Sequence, residues 1–182
     1  TECRKVLTQE GAAWDDIIGV ELDVKEVMGA RKTEIEYARK RKVWIKIPRV
    51  EAKRRGLKVI KVRWNDINKG DAKNPIHRSR LVATAFNDGD AEGFFVGTPP
   101  LEALRMIVSR AATKRRKGLA SRIVMINDVS RAFFEAPIGR DVCIELPEEE
   151  LEEGDVEHDM VGLLKQSLYG TRDAAANFQK QV

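Results

Sequence analysis

The stretch from Ile123 to Pro137, IVMINDVSRAFFEAP, constrains this chain more than any other. Ile123, Val124, Met125 and Ile126 form an apolar run that reads as a strand buried on both faces. Asp128 follows at its end. A buried carboxylate without a partner is costly, so Asp128 either caps the next turn, where Asp is common, or is used in chemistry. From this local pattern alone the two readings are even. The run is expected to be the central strand of a sheet and to pair with Val142–Leu146, where Val142, Ile144 and Leu146 alternate with Cys143 and Glu145. A further short strand is expected over Val161–Lys165, and a helix from about Thr171.

Upstream, Val43, Ile45 and Ile47 alternate toward Pro48 and predict one strand. Leu57–Trp64 predicts another, with Ile60, Val62 and Trp64 on one face and Lys61 and Arg63 on the other. Residues 65–75, NDINKGDAKNP, are turn chemistry. His77–Phe86 reads as the returning strand, with Arg78, Arg80, Val82 and Thr84 on one face and Leu81, Ala83 and Ala85 on the other. The resulting hairpin carries Lys61, Arg63, Arg78 and Arg80. Such charges commonly do no more than protect an edge from aggregation, and the residues alone favour that reading.

Three helices are expected besides the last. A capping box of Thr33 and Glu36 starts one over 33–42. Thr98, with Pro99 at the first position, starts another, whose buried stripe is Leu101, Leu104, Ile107, Val108 and Ala111. A short amphipathic helix is expected over 12–18. Strands and helices intermixed in this way predict an α+β fold.

Hydrophobic residues make up 42% and charged residues 34% of the chain, as in ordinary globular domains. No apolar run reaches membrane-spanning length, and the first residues carry no apolar signal-peptide core. Cys3 and Cys143 have neither disulfide-framework nor zinc spacing, which suits a reducing, intracellular compartment. Charge is unevenly spread. Residues 31–63 hold 14 Lys or Arg against 3 Asp or Glu, and residues 123–182 hold 5 against 13. The basic front is expected to meet polyanions. The acidic run 148–159 is expected to be solvated, since like charges at irregular spacing make a poor metal site.

Taken together, Asp128-Val129-x-x-Ala132-Phe133, then Pro137, then VCIELPEE, then GLLKQSLYGTRDAAANF, with IHRSRLVATAF upstream, occur in an order that resembles the reverse transcriptase of copia-type LTR retrotransposons. The resemblance runs from about Ile35 to the end. It implies a fingers-and-palm mixed sheet with packed helices over 31–182, preceded by a flanking segment over 1–30. It also implies an RNA-directed DNA polymerase, a nucleotidyltransferase that extends a primer on an RNA or DNA template with two Mg²⁺ ions. Asp128 takes the place of a catalytic, metal-binding aspartate, and the Val129 carbonyl helps hold the triphosphate-bound ion. Arg78 and Arg80 belong to the fingers strand that grips deoxynucleoside triphosphate. Phe133 stands where an aromatic excludes a 2′-hydroxyl, and Tyr169 and Gly170 form the pocket floor. Lys61, Arg63 and Arg172 are placed toward template-primer or phosphate.

Two positions depart from the family pattern: Arg131, where a small or polar residue is usual, and Asp173, where Gln is usual. The paired aspartates that complete the metal site lie, in the family, beyond the last helix here. The expectation is therefore fingers and part of a palm, inactive alone and complemented by the rest of a polyprotein with its remaining palm, thumb and RNase H. The parent would work in a cytoplasmic particle or the nucleus. A nucleic-acid-binding descendant without catalysis, or a decayed remnant, would carry the same residues.

Overall fold

The computed structural model describes residues 12–71, 73–85, 99–114 and 122–181. Its organising element is a four-stranded sheet built from β3 (Trp44–Pro48), β4 (Val59–Ile60), β7 (Cys143–Glu145) and β8 (Met160–Leu164), in the order β3-β8-β7-β4. β8 is antiparallel to both β3 and β7, while β4 runs parallel to β7. Beside this sheet, β5 (Val62–Asn68) and β6 (His77–Ala83) form an antiparallel hairpin, and β1 (Ala13–Trp14) pairs with β2 (Glu21–Leu22). The helices are α1 (Val24–Lys40), α2 (Arg49–Arg54), α3 (Leu101–Ala112) and α4 (Ala174–Gln181). The protein is thus mixed α+β.

Both faces of the four-stranded sheet are buried. On one face Ile35 and Ala38 of α1, Trp44, Ile60, Ile144, Leu164, Leu168, Phe134 and the hairpin's Leu81 and Ala83 share one core. On the other, Ala52 of α2 covers Cys143, Val161 and Leu163. This explains why β8, MVGLL, reads as an apolar run with little alternation.

Several expectations are corrected. The run Ile123–Asp128 is not a central strand. It has no regular secondary structure, is unpaired with any described strand, and is exposed: Ile123 at 90% and Ile126 at 87%. Its expected neighbour β7 already has β8 on one edge and β4 on the other, so no hydrogen-bonding edge remains for it. The apolar stripe of α3 is likewise exposed, because no described residue covers Leu101, Leu104, Ile107 or Val108. Its proposed cap Thr98 lies outside the described residues, as does Cys3.

The helix expected at 33–42 begins nearer the N-terminus, at Val24, and runs through the boundary between Ala30 and Arg31. Asp23 caps it by accepting bonds from the Lys25 and Glu26 amides. The Thr33 hydroxyl instead donates back to the Gly29 carbonyl. Residues 13–22 form a hairpin and not a helix. There the Asp15 carboxylate accepts from the Ile17, Ile18 and Asn68 amides, binding the turn to β5. β5 extends through Asn68, so the hairpin turn is shorter than the run of turn residues implied. In β3 it is Trp44 that is buried, while Ile45 is exposed.

The acidic run is not simply solvated, and the basic front is not simply free for polyanions. Several residues of the basic front pair with acids of the acidic run or near it. Arg31 pairs with Asp66 and Glu149, Arg39 with Glu150, Lys46 with Asp155, and Arg49 with Glu145 and Asp159. Glu150 is buried and accepts bonds from Arg39 Nε at 2.7 Å and Trp44 Nε1 at 3.3 Å. Part of the charge asymmetry along the sequence is the two halves of these pairs.

Candidate functional site

One cavity of about 310 Å³ gathers residues far apart in sequence. Its walls are Glu34 of α1, three consecutive residues of β6 (Arg78, Ser79, Arg80), the segment from Asp128 to Phe133, and Tyr169.

The β6 wall follows from strand geometry. Arg78 opposes Ile67 and Arg80 opposes Asn65, while Arg63 opposes Val82, so Arg63, Arg78 and Arg80 lie on one hairpin face as expected. Arg78 and Arg80 reach the cavity, whereas Arg63 does not and instead pairs with Asp16 at 3.2 Å. Lys61 is exposed, and like Arg172 it is not part of the cavity wall. The Arg80 guanidinium carbon sits 4.7 Å from the Tyr169 ring centroid, a cation–π contact. Burial, and then neighbouring Arg80, lowers the Arg78 guanidinium from its ordinary value. Burial raises the Tyr169 hydroxyl, opposed by the positive charge of Arg80.

The opposite wall is a turn fixed by its aromatics. Phe134 is 1% exposed, stacks with Tyr37 at 6.1 Å and meets Tyr169 edge-on at 5.6 Å. With Phe134 held in the core, adjacent Phe133 is turned to the cavity, edge-on to Tyr169 at 5.1 Å and to Phe178 at 6.5 Å. Just before them Arg131 adopts a left-handed conformation, φ 52° and ψ 43°. For a non-glycine residue this costs about 1–3 kcal/mol and persists only where surroundings over-determine it. Here Arg131 Nε donates to Glu34 Oε2 at 2.6 Å, and its guanidinium lies over the Tyr37 ring at 4.4 Å.

The floor is set by backbone contact. The Ala83 amide of β6 donates to the Tyr169 carbonyl at 2.7 Å, and Val82 and Tyr169 form a bridge. Gly170 has φ 79°, and a Cβ there would collide with the Ala83 carbonyl oxygen. Gly170 is therefore required by the approach of this loop to β6, and it does not itself line the cavity.

Asp128 is exposed at the cavity and makes no hydrogen bond or ion pair among the described residues. Its carboxylate and the Val129 carbonyl are hard oxygen donors, which suits Mg²⁺ held by one or two carboxylates with substrate phosphates and water. Among the described residues no three His, Cys, Asp or Glu side chains cluster as a complete protein-only metal site. Asp173, the other departure, is buried away from the cavity, bonded to Arg140 at 3.4 Å and to Asn177 Nδ2 at 2.9 Å.

Sequence reasoning passed over Glu34 and Ser79 as cavity residues. The signal for Glu34 lay in the helix period. Val27, Glu34, Ile35 and Ala38 form one buried stripe, legible once the helix starts at Val24. Ser79 carries no comparable signal.

No family model, no curated protein and no solved structure matches this chain.

Proposed function

We propose that the chain is the fingers and adjoining palm region of a copia-type RNA-directed DNA polymerase, and that its cavity takes a Mg²⁺-bound deoxynucleoside triphosphate. The observation that carries this reading is the meeting of Arg78, Arg80, Asp128, Val129, Phe133 and Tyr169 on one cavity. These residues come from three separate segments, each resembling a motif of that family. In this reading Arg78 and Arg80 bind phosphate, Phe133 excludes a 2′-hydroxyl, and the Tyr169 ring backs both Arg80 and Phe133. Asp128 and the Val129 carbonyl would hold Mg²⁺, which when bound supplies charge stabilisation to the phosphoryl oxygens. The exposed hairpin residues Lys61 and Arg63 would lie toward template-primer.

The test is calorimetric titration of Mg²⁺·dATP, and separately of an RNA–DNA hybrid, into the protein. Saturable nucleotide binding that is lost in Arg78→Glu and Arg80→Glu is expected. Hybrid binding without any nucleotide binding would replace this reading with that of a nucleic-acid-binding protein. Absence of both would leave the resemblance without a biochemical counterpart.

A further inference from the structure

We infer that Arg131 is a third phosphate-binding residue of this cavity, facing Arg78 and Arg80 from the opposite wall, and that Glu34 is the residue that positions it. The inference rests on the nucleotide reading above and adds two residues that the family resemblance does not supply. Arg131 is one of the two positions where the chain departs from that pattern.

The geometry separates the two ends of the Arg131 side chain. Nε is bonded to Glu34 Oε2 at 2.6 Å, and the guanidinium carbon is 4.4 Å from the Tyr37 ring centroid. These contacts fix the plane of the group. Nη1 and Nη2 have no partner among the described residues, and Arg131 lines the cavity. A planar guanidinium with a fixed plane and two free nitrogens is organised for bidentate recognition of an oxyanion.

Glu34 is suited to hold it. It is 2% exposed, so its carboxylate does not wander, and it sits on a helix packed against β6. The strained backbone at Arg131 is explained by the same anchorage: the left-handed turn brings the side chain back to Glu34 and Tyr37. The cavity also has unmet bonding capacity. The Arg78 Nε and Ser79 Oγ donors are buried without a hydrogen-bond partner, and both residues line it. Buried polar groups are rarely left in that state without a reason. An oligophosphate would supply acceptors to Arg78 and Ser79 on one wall and to Arg131 on the other. Three arginines against Glu34 and Asp128 leave an excess positive charge, which suits the residual negative charge of a Mg²⁺-bound triphosphate.

The same phosphoryl chemistry is found in a nucleoside triphosphate and in a nucleic-acid strand. A cavity of about 310 Å³ walled from three segments favours the former, and the experiment separates them. Mg²⁺·dATP, Mg²⁺·tripolyphosphate and an RNA–DNA hybrid are titrated into the wild type, Arg131→Gln, Arg131→Lys and Glu34→Gln, with circular dichroism to follow folding. Arg131→Gln is expected to weaken dATP and tripolyphosphate alike, by about tenfold or more, as for loss of a charged hydrogen bond. Arg131→Lys keeps the charge without the fork, and should fall between Arg131→Gln and wild type; it carries the test if the Gln variant fails to fold.

Glu34→Gln decides the positioning role by its sign. Removing a negative charge from a cationic cavity would by itself tighten anion binding, whereas loss of positioning weakens it. Weaker binding is expected, and tighter binding overturns the role of Glu34. Unchanged dATP affinity in both Arg131 variants, with wild-type binding intact, overturns this inference and leaves the nucleotide reading standing. A loss confined to the hybrid overturns the assignment to triphosphate. Failure of the wild type to bind either small ligand removes the nucleotide reading on which the inference rests.

Discussion

The Ala83 amide donates to the Tyr169 carbonyl at 2.7 Å, so the loop after β8 is fastened to the end of the basic hairpin by main-chain contact. That bond brings the Tyr169 ring beneath Arg80. The site therefore depends on two segments more than eighty residues apart holding one register, and Gly170 permits the approach.

Gly170→Ala should accordingly destabilise the protein by about 1–3 kcal/mol, the usual scale for strain at a left-handed position, with the clash against Ala83 adding to it. Urea denaturation measures the loss. A variant as stable as wild type would mean that the loop does not pack on β6 in solution.

Phe133 and Phe134 are neighbours with opposite surroundings, one at the cavity and one in the core. Phe134→Ala should cost about 3–5 kcal/mol as a core truncation, since that ring is 1% exposed. Phe133→Val should cost much less in stability. Its effect is expected on ligand choice, bringing the affinities for Mg²⁺·ATP and Mg²⁺·dATP closer together. Unchanged discrimination, with stability reduced as much as by Phe134→Ala, would return Phe133 to the core.

Glu150 anchors the acidic loop. Glu150→Ala leaves the Trp44 Nε1 donor buried without its acceptor and removes the partner of Arg39. The expected loss is about 1–3 kcal/mol. Arg39 is half-exposed, so its share is small after solvent screening. A stability unchanged within error would show the loop to be detached.

Acid should unfold the protein partly through Asp155. The bond from Lys46 Nζ, at 2.6 Å, and then the Glu152 amide hold its carboxyl below the usual carboxylate range. A depressed folded-state pKa means that the unfolded state binds the proton more readily. The contribution of Asp155 is therefore complete above about pH 4, the ordinary Asp range, and is lost as pH falls through the lowered value. Asp155→Asn should lower stability at pH 7 and flatten its decline below about pH 4. An unaltered acid limb would place the titrating groups elsewhere. Asp15 is held below the usual range by its three backbone bonds, led by the Asn68 amide, and has the same sign.

Alternation placed β6, β7 and β3 as strands, but it did not say that Trp44 is the buried side chain of β3, and it ran β4 and β5 together as one strand. A side chain's face within a strand is set by a period of two, whatever lies around it. The same rule set the shared face of Arg63, Arg78 and Arg80, whereas Asp128, Phe133 and Tyr169 were grouped only by the resemblance of their segments to one family's motifs. Hydrophobicity alone did not determine which apolar runs are buried. Ile123–Ile126 is as apolar as β8, yet it is exposed, and the pairing expected for it is barred because both edges of β7 are filled. Edge occupancy is a property of the assembled sheet. The destination of the charges was hidden for the same reason: Arg39 meets Glu150 across 111 residues, and Glu34 meets Arg131 across 97. A charge written in sequence has a sign and no partner. Only the folding of α1 against β6 and the 128–134 turn turned Glu34 into an anchor and Arg131 into a wall of the cavity.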